Sequence, residues 1–152
     1  EHTQTVWSAL KSAYDKDHIK YSPGLEYSRD KSKNGFTSAI EAAKDADVIL
    51  FVGGEEAILS GEAHSRANLN LPGIQEELIH ELAKTGKPIV LVVMAGRPIT
   101  VGNIINDIDA LVMAWHPGTM GGPALVDVLS GAISPSGRLP VTWPKTAAQA
   151  PI

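Results

Sequence analysis

Ionisable residues crowd one stretch of the chain: Glu55, Glu56, Glu62, His64 and Arg66 all fall within Gly53–Leu71 (GGEEAILSGEAHSRANLNL). Carboxyl groups that give and take protons are the working parts of acid–base hydrolysis. Glu62 sits between Gly61 and Ala63, small neighbours that let its side chain project into a cleft. Arg66, a short step further on, is spaced to hold Glu62 or a neighbouring carboxylate through paired hydrogen bonds. Spacing alone leaves a second reading open, in which the segment is an exposed, charged surface loop.

Other motifs carry less. Gly118–Ala124 (GTMGGPA) precedes a helical pattern and resembles a phosphate cradle. It is neither a spaced dinucleotide fingerprint nor a P-loop, and tight-turn glycines for close packing explain it better. His80-Glu81 lacks the second histidine of a zinc-protease motif, and Ser60 and Ser65 lack the glycine-flanked elbow of a serine hydrolase. The histidines are too scattered to suggest a metal site. Trp115 and Trp143 are each either core or a sugar-stacking platform, with core the preferred reading for Trp143.

The elements that must position these residues follow from periodicity. Val6, Leu10, Ala13 and Tyr14 recur at helical spacing, predicting a helix over Thr5–Tyr14. His18–Tyr21 is a short strand candidate ended by Ser22-Pro23-Gly24, and Ser28–Asn34 (SRDKSKN) reads as a solvated loop. From Gly35 the pattern alternates. Helix is expected over Phe36–Ala46, Pro72–Lys84 and Met120–Leu129, with a short one over Ile99–Ile105. Asp47–Val52, Pro88–Met94 and Asp109–Trp115 are apolar runs of the kind that form strands buried on both faces. Such alternation is the mark of a parallel sheet covered by helices. In that architecture ligands meet the loops beyond the carboxyl ends of the strands. Gly53–Leu71, Ala95–Pro98 and His116–Gly122 are those loops. Gly53–Leu71 far exceeds the usual length of about two to six residues for such a connection, as functional loops often do.

Composition bounds the possibilities. The chain has 152 residues, 43% hydrophobic and 20% charged, enough for about one domain with a real core. Thirteen Lys and Arg against 17 Asp and Glu leave a net charge of −4, the wrong sign for a nucleic-acid footprint. No run approaches the ~18 apolar residues of a membrane-spanning helix. Cysteine is absent, which excludes disulfides and thiolate metal sites and fits periplasm and cytoplasm alike. The chain starts at Glu1 without an initiator Met or signal-peptide pattern, and it reads as a piece of something larger.

Taken together, a series of blocks resembles the second domain of glycoside hydrolase family 3 β-glucosidases. The blocks are Ala46–Gln75, Gly86-Lys87-Pro88 leading to Val92–Pro98, Trp115–Gly118 with Gly121–Ala124, Asp127–Gly131 and Pro135–Pro144. They occur in family order over residues 35–151, leaving 1–34 as a peripheral helix, strand and loop. Pattern and resemblance together lead us to expect one α/β domain, a three-layer (α/β)6-type sandwich with a mostly parallel sheet of five or six strands and helices on both faces.

The resemblance implies an enzyme built from two domains, with an N-terminal (β/α)8 barrel supplying an Asp nucleophile and this domain supplying the general acid/base. No barrel fits in this chain, since eight βα units take about 250 residues. By its place before the arginine and the leucine-proline that open the next helix, Glu62 matches the family's acid/base. Glu55 matches an earlier strand-end glutamate and is the weaker candidate. Arg66 and His64 are candidates for contacts to substrate. Many members carry Gly-x-Asp-Arg where this chain has Ala63-His64-Ser65-Arg66, a departure that bears on the assignment of Glu62. The implied substrate is a β-glucoside or oligosaccharide with no metal or cofactor, and export to the periplasm or beyond is favoured. A β-xylosidase of the same family and a non-catalytic flavodoxin-like binding module are the competing readings. An upstream barrel in the full reading frame separates the last of these from the first two.

Overall fold

The computed structural model describes residues 2–149. The three apolar runs become strands: β1 (Ile49–Gly54), β2 (Ile89–Met94) and β3 (Ala110–Met113). They pair in parallel in the order β1-β2-β3, with Ile49 opposite Ile89, Phe51 opposite Leu91 and Val93 opposite Met113. The central strand justifies its uninterrupted apolar sequence. Ile89, Leu91, Val92 and Val93 are all fully buried, so both of its faces are covered.

Helix α1 (Val6–Ala13), helix α2 (Phe36–Lys44), helix α3 (Gln75–Ala83) and helix α4 (Gly121–Leu129) complete the framework. Phe36, Ala39 and Ala43 of α2 and Leu78, Ile79 and Leu82 of α3 share one core with Ile89, Leu91 and Val93. Burying a side chain such as Ile79 in that core is worth about 1.5–3 kcal/mol.

The described chain divides into two compact units. One joins the N-terminal segment up to Lys20 with His116–Pro140, and the other joins Tyr21–Trp115 with the segment from Val141 onward. In the first, α1 packs on α4. Thr5 caps α1 by accepting a hydrogen bond from the Ser8 amide on its Oγ1 (3.1 Å). The glycines that open α4 are packing glycines. A Cβ on Gly122 would stand 2.4 Å from the Thr5 carbonyl oxygen, and one on Gly121 would stand 2.6 Å from the Pro117 ring.

Several expectations are corrected. The sheet has three strands, short of five or six, because no other described segment pairs into it. Asn70 and Thr100 form only an isolated bridge. His18–Tyr21 is not a strand. The backbone of His18–Tyr21 joins no strand ladder among the described residues, and Tyr21 is 61% exposed. Ile99–Ile105 is a string of turns rather than a helix. Its β-branched start is drawn into the bridge, with the Thr100 amide donating to the Leu69 carbonyl (2.8 Å), and Gly102-Asn103 favour turning. Ile99 and Ile104 still fill the core. Helix α3 begins at Gln75, not Pro72, because Pro72–Ile74 are spent on a turn in which Gly73 adopts φ +65°.

Ser28–Asn34 is more than a solvated loop. Asp30 is buried, and its carboxylate accepts from the backbone amides of Ser32 (2.8 Å) and Glu26 (3.1 Å), which hold it below the usual carboxylate range. The Asp30 carbonyl in turn accepts from the Ile74 amide (3.1 Å).

Candidate active site

The long loop leaves the carboxyl end of β1, and the segment Ala95–Pro98 leaves the carboxyl end of the adjacent β2. Gly54 makes the junction possible. It adopts φ +134°, and a Cβ there would lie 1.9 Å from the Met94 carbonyl oxygen, a separation no side chain tolerates. The ladder then runs one residue further, with the Glu55 amide donating to that same carbonyl (2.8 Å).

Gln75 fixes the junction from beneath. Buried at the head of α3, it accepts the Gly54 amide on Oε1 (2.9 Å). Its Nε2 donates to the carbonyls of Gly54 (2.8 Å), Ser28 (2.9 Å) and Pro72 (3.1 Å). One side-chain amide thus satisfies backbone groups from three segments. Sequence reasoning missed it, although Gln75, Leu78, Ile79 and Leu82 share one helical face, and a polar residue on a buried stripe is a readable signal.

Glu55 points inward. Its side chain has 0% exposure, and its carboxylate is held by two guanidinium groups, Arg66 on Oε1 and Arg97 on Oε2 (3.2 Å). A fully buried carboxylate is tolerable only with paired, hydrogen-bonded positive charge, which these arginines provide. Arg66 also donates to the Asn70 carbonyl (2.9 Å), so its guanidinium is committed within the loop. Arg97 reaches further: its Nη2 donates to the carbonyls of Leu59 (2.6 Å) and His64 (3.1 Å). Sequence reasoning gave Arg97 no role, though an arginine just past the end of a buried strand faces the ligand end of such a sheet.

Glu62 has the opposite surroundings. It is exposed at the tip of a turn closed by the His64 amide on the Gly61 carbonyl (3.2 Å). Ala63 takes φ +63° there, the left-handed conformation that glycine adopts more easily and that the family's Gly-x-Asp-Arg pattern would supply. His64 is exposed, and its Nδ1 lies 2.8 Å from the Glu62 carbonyl oxygen. Among the described residues, none hydrogen-bonds the Glu62 carboxylate. Glu56, next to Glu55, turns the other way. It accepts from the Ser28 hydroxyl (2.7 Å) and Arg29 (3.1 Å), and these partners, Ser28 foremost, hold its carboxyl below the usual glutamate range. Trp143 is half-buried and donates its indole N–H to the Ile99 carbonyl (3.0 Å), with Trp115 edge-on to it at 6.1 Å. These are the contacts of a packing residue.

The arrangement thus places one carboxylate in an internal clamp and one, Glu62, out in solvent at the ligand end of the sheet. Residues 1–152 match the family model described as the glycosyl hydrolase family 3 C-terminal domain. The chain belongs to glycoside hydrolase family 3. The match takes in the first 34 residues, which the quoted motifs did not reach.

Relatives of this family 3 domain divide by substrate. It is 45% identical over 114 residues to a periplasmic beta-glucosidase of Salmonella typhimurium, covering 75% of this chain and 15% of that protein. It is 36% identical over 138 residues to a beta-xylosidase of Formosa agariphila, covering 90% of this chain and 19% of that protein. Among solved structures it resembles the beta-glucosidase of Listeria innocua in complex with isofagomine, with 32% identity and a TM-score of 0.91 over 99% of this chain and 20% of that one. The chain therefore spans a fifth or less of the length of these relatives. No helix among the described residues is long and apolar enough to cross a membrane.

Proposed function

We propose that this family 3 domain carries the general acid/base of a retaining β-glycosidase that removes terminal β-D-glucosyl residues from glucosides or oligosaccharides. The observation that carries this reading is the contrast between two glutamates on one loop. Glu55 is clamped and buried, whereas Glu62 projects from a turn at the ligand end of a parallel sheet, with no competing partner among the described residues. In the first step, the protonated Glu62 gives its proton to the glycosidic oxygen as the bond to the anomeric carbon breaks. A nucleophilic Asp on an N-terminal (β/α)8 barrel of the same enzyme forms the new bond to that carbon. Glu62, now ionised, then takes a proton from the water that hydrolyses the glycosyl-enzyme. Such a pair of carboxyl groups works at about 5–5.5 Å separation. Closure of the barrel over Glu62 would exclude bulk water from the proton-transfer site.

His64, exposed beside Glu62, is the loop's nearest candidate for a contact to the sugar. Arg66 serves the same end by fixing the loop through Glu55 and Asn70. The described residues belong to one α/β domain of the longer enzyme, and the rest of that enzyme would cover the faces that the three-stranded sheet leaves open. The 42% exposure of Val52 on β1 and the 37% exposure of Leu111 on β3 leave apolar side chains for such a cover.

Replacing Glu62 by Ala in the intact enzyme tests the assignment. Hydrolysis of glucosides with poor leaving groups should fall far more than that of activated aryl glucosides, because only the former need protonation to depart. Azide, which needs no base, should partly restore turnover of the activated substrates. Equal losses on both classes without rescue would move the role to Glu55 or elsewhere. The beta-xylosidase relative, matched over more of this chain than the Salmonella beta-glucosidase, supports a second reading of the substrate as a β-xyloside. Comparing aryl β-glucoside with aryl β-xyloside on the intact enzyme decides between them.

A further inference from the structure

We infer that Arg97 is a positioning residue for the proton-transfer step, acting on Glu62 through the loop it ties together. The inference rests on Glu62 being the acid/base, as proposed above. Arg97 belongs to a different loop, beyond β2, yet every hydrogen bond recorded for its side chain goes to the Glu62-bearing loop. Nε donates to Glu55 Oε2 (3.2 Å), at the loop's first residue beyond β1. Nη2 donates to the carbonyls of Leu59 (2.6 Å) and His64 (3.1 Å), which bracket Glu62 on either side.

The two carbonyls on Nη2 form a neck. Residues that stand apart in sequence meet at one nitrogen, and the turn Gly61–His64 is held beyond it. Among the described residues, no other hydrogen bond ties the backbone at Leu59 to that at His64. Glu55, buried and paired also with Arg66, holds the guanidinium at Nε. The position of the Glu62 backbone is therefore referred to the end of β2 through one planar group. Loss of about 1 Å in such positioning is enough to cost on the order of 100-fold in rate. A lysine cannot replace this geometry. Its ammonium could pair with Glu55, but it lacks the flat fork that reaches a carboxylate and two carbonyls at once.

The test uses the intact enzyme carrying Arg97→Lys and Arg97→Gln, with Glu62→Ala and the double variants in parallel. Thermal unfolding and circular dichroism select the variants that remain folded, and Arg97→Lys retains the charge opposite Glu55. We expect Arg97→Lys to lower kcat on poor-leaving-group glycosides by about 10- to 100-fold, part of the 10²–10⁴ that general acid catalysis supplies. Its kcat/KM on activated aryl glycosides, which depart without protonation, should change less than about threefold, while kcat on them falls through slowed deglycosylation and recovers in part with azide. In the Glu62→Ala background, the Arg97 substitution should add no further leaving-group dependence, since two residues acting through one step are non-additive. Equal losses of kcat/KM on both substrate classes, full activity in Arg97→Lys, or additive effects with Glu62→Ala would each overturn the inference. Absence of leaving-group discrimination in Glu62→Ala itself would instead overturn the acid/base assignment. The two failures are distinct.

Discussion

Ala63 occupies a backbone conformation that favours glycine, and the strain is local to the turn presenting Glu62. A β-branched side chain fares worse there, because its second γ substituent crowds the backbone at positive φ. Ala63→Val should therefore cost about 1–3 kcal/mol locally. Faster limited proteolysis between Gly61 and Arg66 would show it, with Ala63→Gly cleaved no faster than the parent. Glu56 gives a second residue-level expectation. Ser28 and Arg29 lower its folded-state pKa, so the stabilisation is present above the unfolded glutamate pKa and is lost as pH falls through the lower folded value. Glu56→Gln should flatten the acid limb of a stability–pH profile and leave the pH dependence near neutrality unchanged. At this scale the sequence was informative about residue type and silent about direction. Glu55, Glu56 and Glu62 look alike on one loop, but only the folded chain shows that one turns inward, one sideways and one out.

At the scale of elements, the three strands and four helices were legible because each is an uninterrupted apolar run or an amphipathic repeat. The elements that were misread depend on long-range partners. The Ile99–Ile105 segment, read as a short helix, is drawn into the bridge with Asn70 and into turns, and Ser28–Asn34 looks solvated until Asp30 is seen under the start of α3. Gln75 is the most consequential of these hidden contacts. Gln75→Leu would keep the helix and the volume while stranding the Gly54 amide and the carbonyls it serves. Each buried group left without a partner costs about 1–3 kcal/mol. We expect a loss of roughly 3 kcal/mol in urea unfolding for the substitution, with the far-ultraviolet dichroism of the folded state unchanged. A loss below about 1 kcal/mol would mean that water replaces the amide there.

For the whole molecule, the expectation is inactivity of the isolated chain. Under the proposed mechanism, nucleophile and proton donor act on opposite sides of one bond, and the nucleophile belongs to the barrel. Without it, the covalent intermediate and most of the positioning that lowers the barrier are absent. Purified 152-residue chain, incubated at high concentration with an aryl β-glucoside, should release no phenol above buffer. Turnover that persists through further purification and vanishes in Glu62→Ala would place both carboxyl groups on this one loop.

The neck at Arg97 also makes the loop tip a replaceable part. Ser60, Gly61, Glu62 and Ala63 lie beyond the two carbonyls that Arg97 holds, so their number can change without disturbing the sheet or the buried clamp. Short exposed loop tips accept such changes at little cost in closure entropy. Length there sets how far the carboxylate reaches, independently of how firmly it is anchored. If Glu62 is the acid/base proposed above, an engineer seeking room for a bulkier aglycone would change the length of these positions first and leave Leu59, His64 and Arg97 as the fixed points of the exchange.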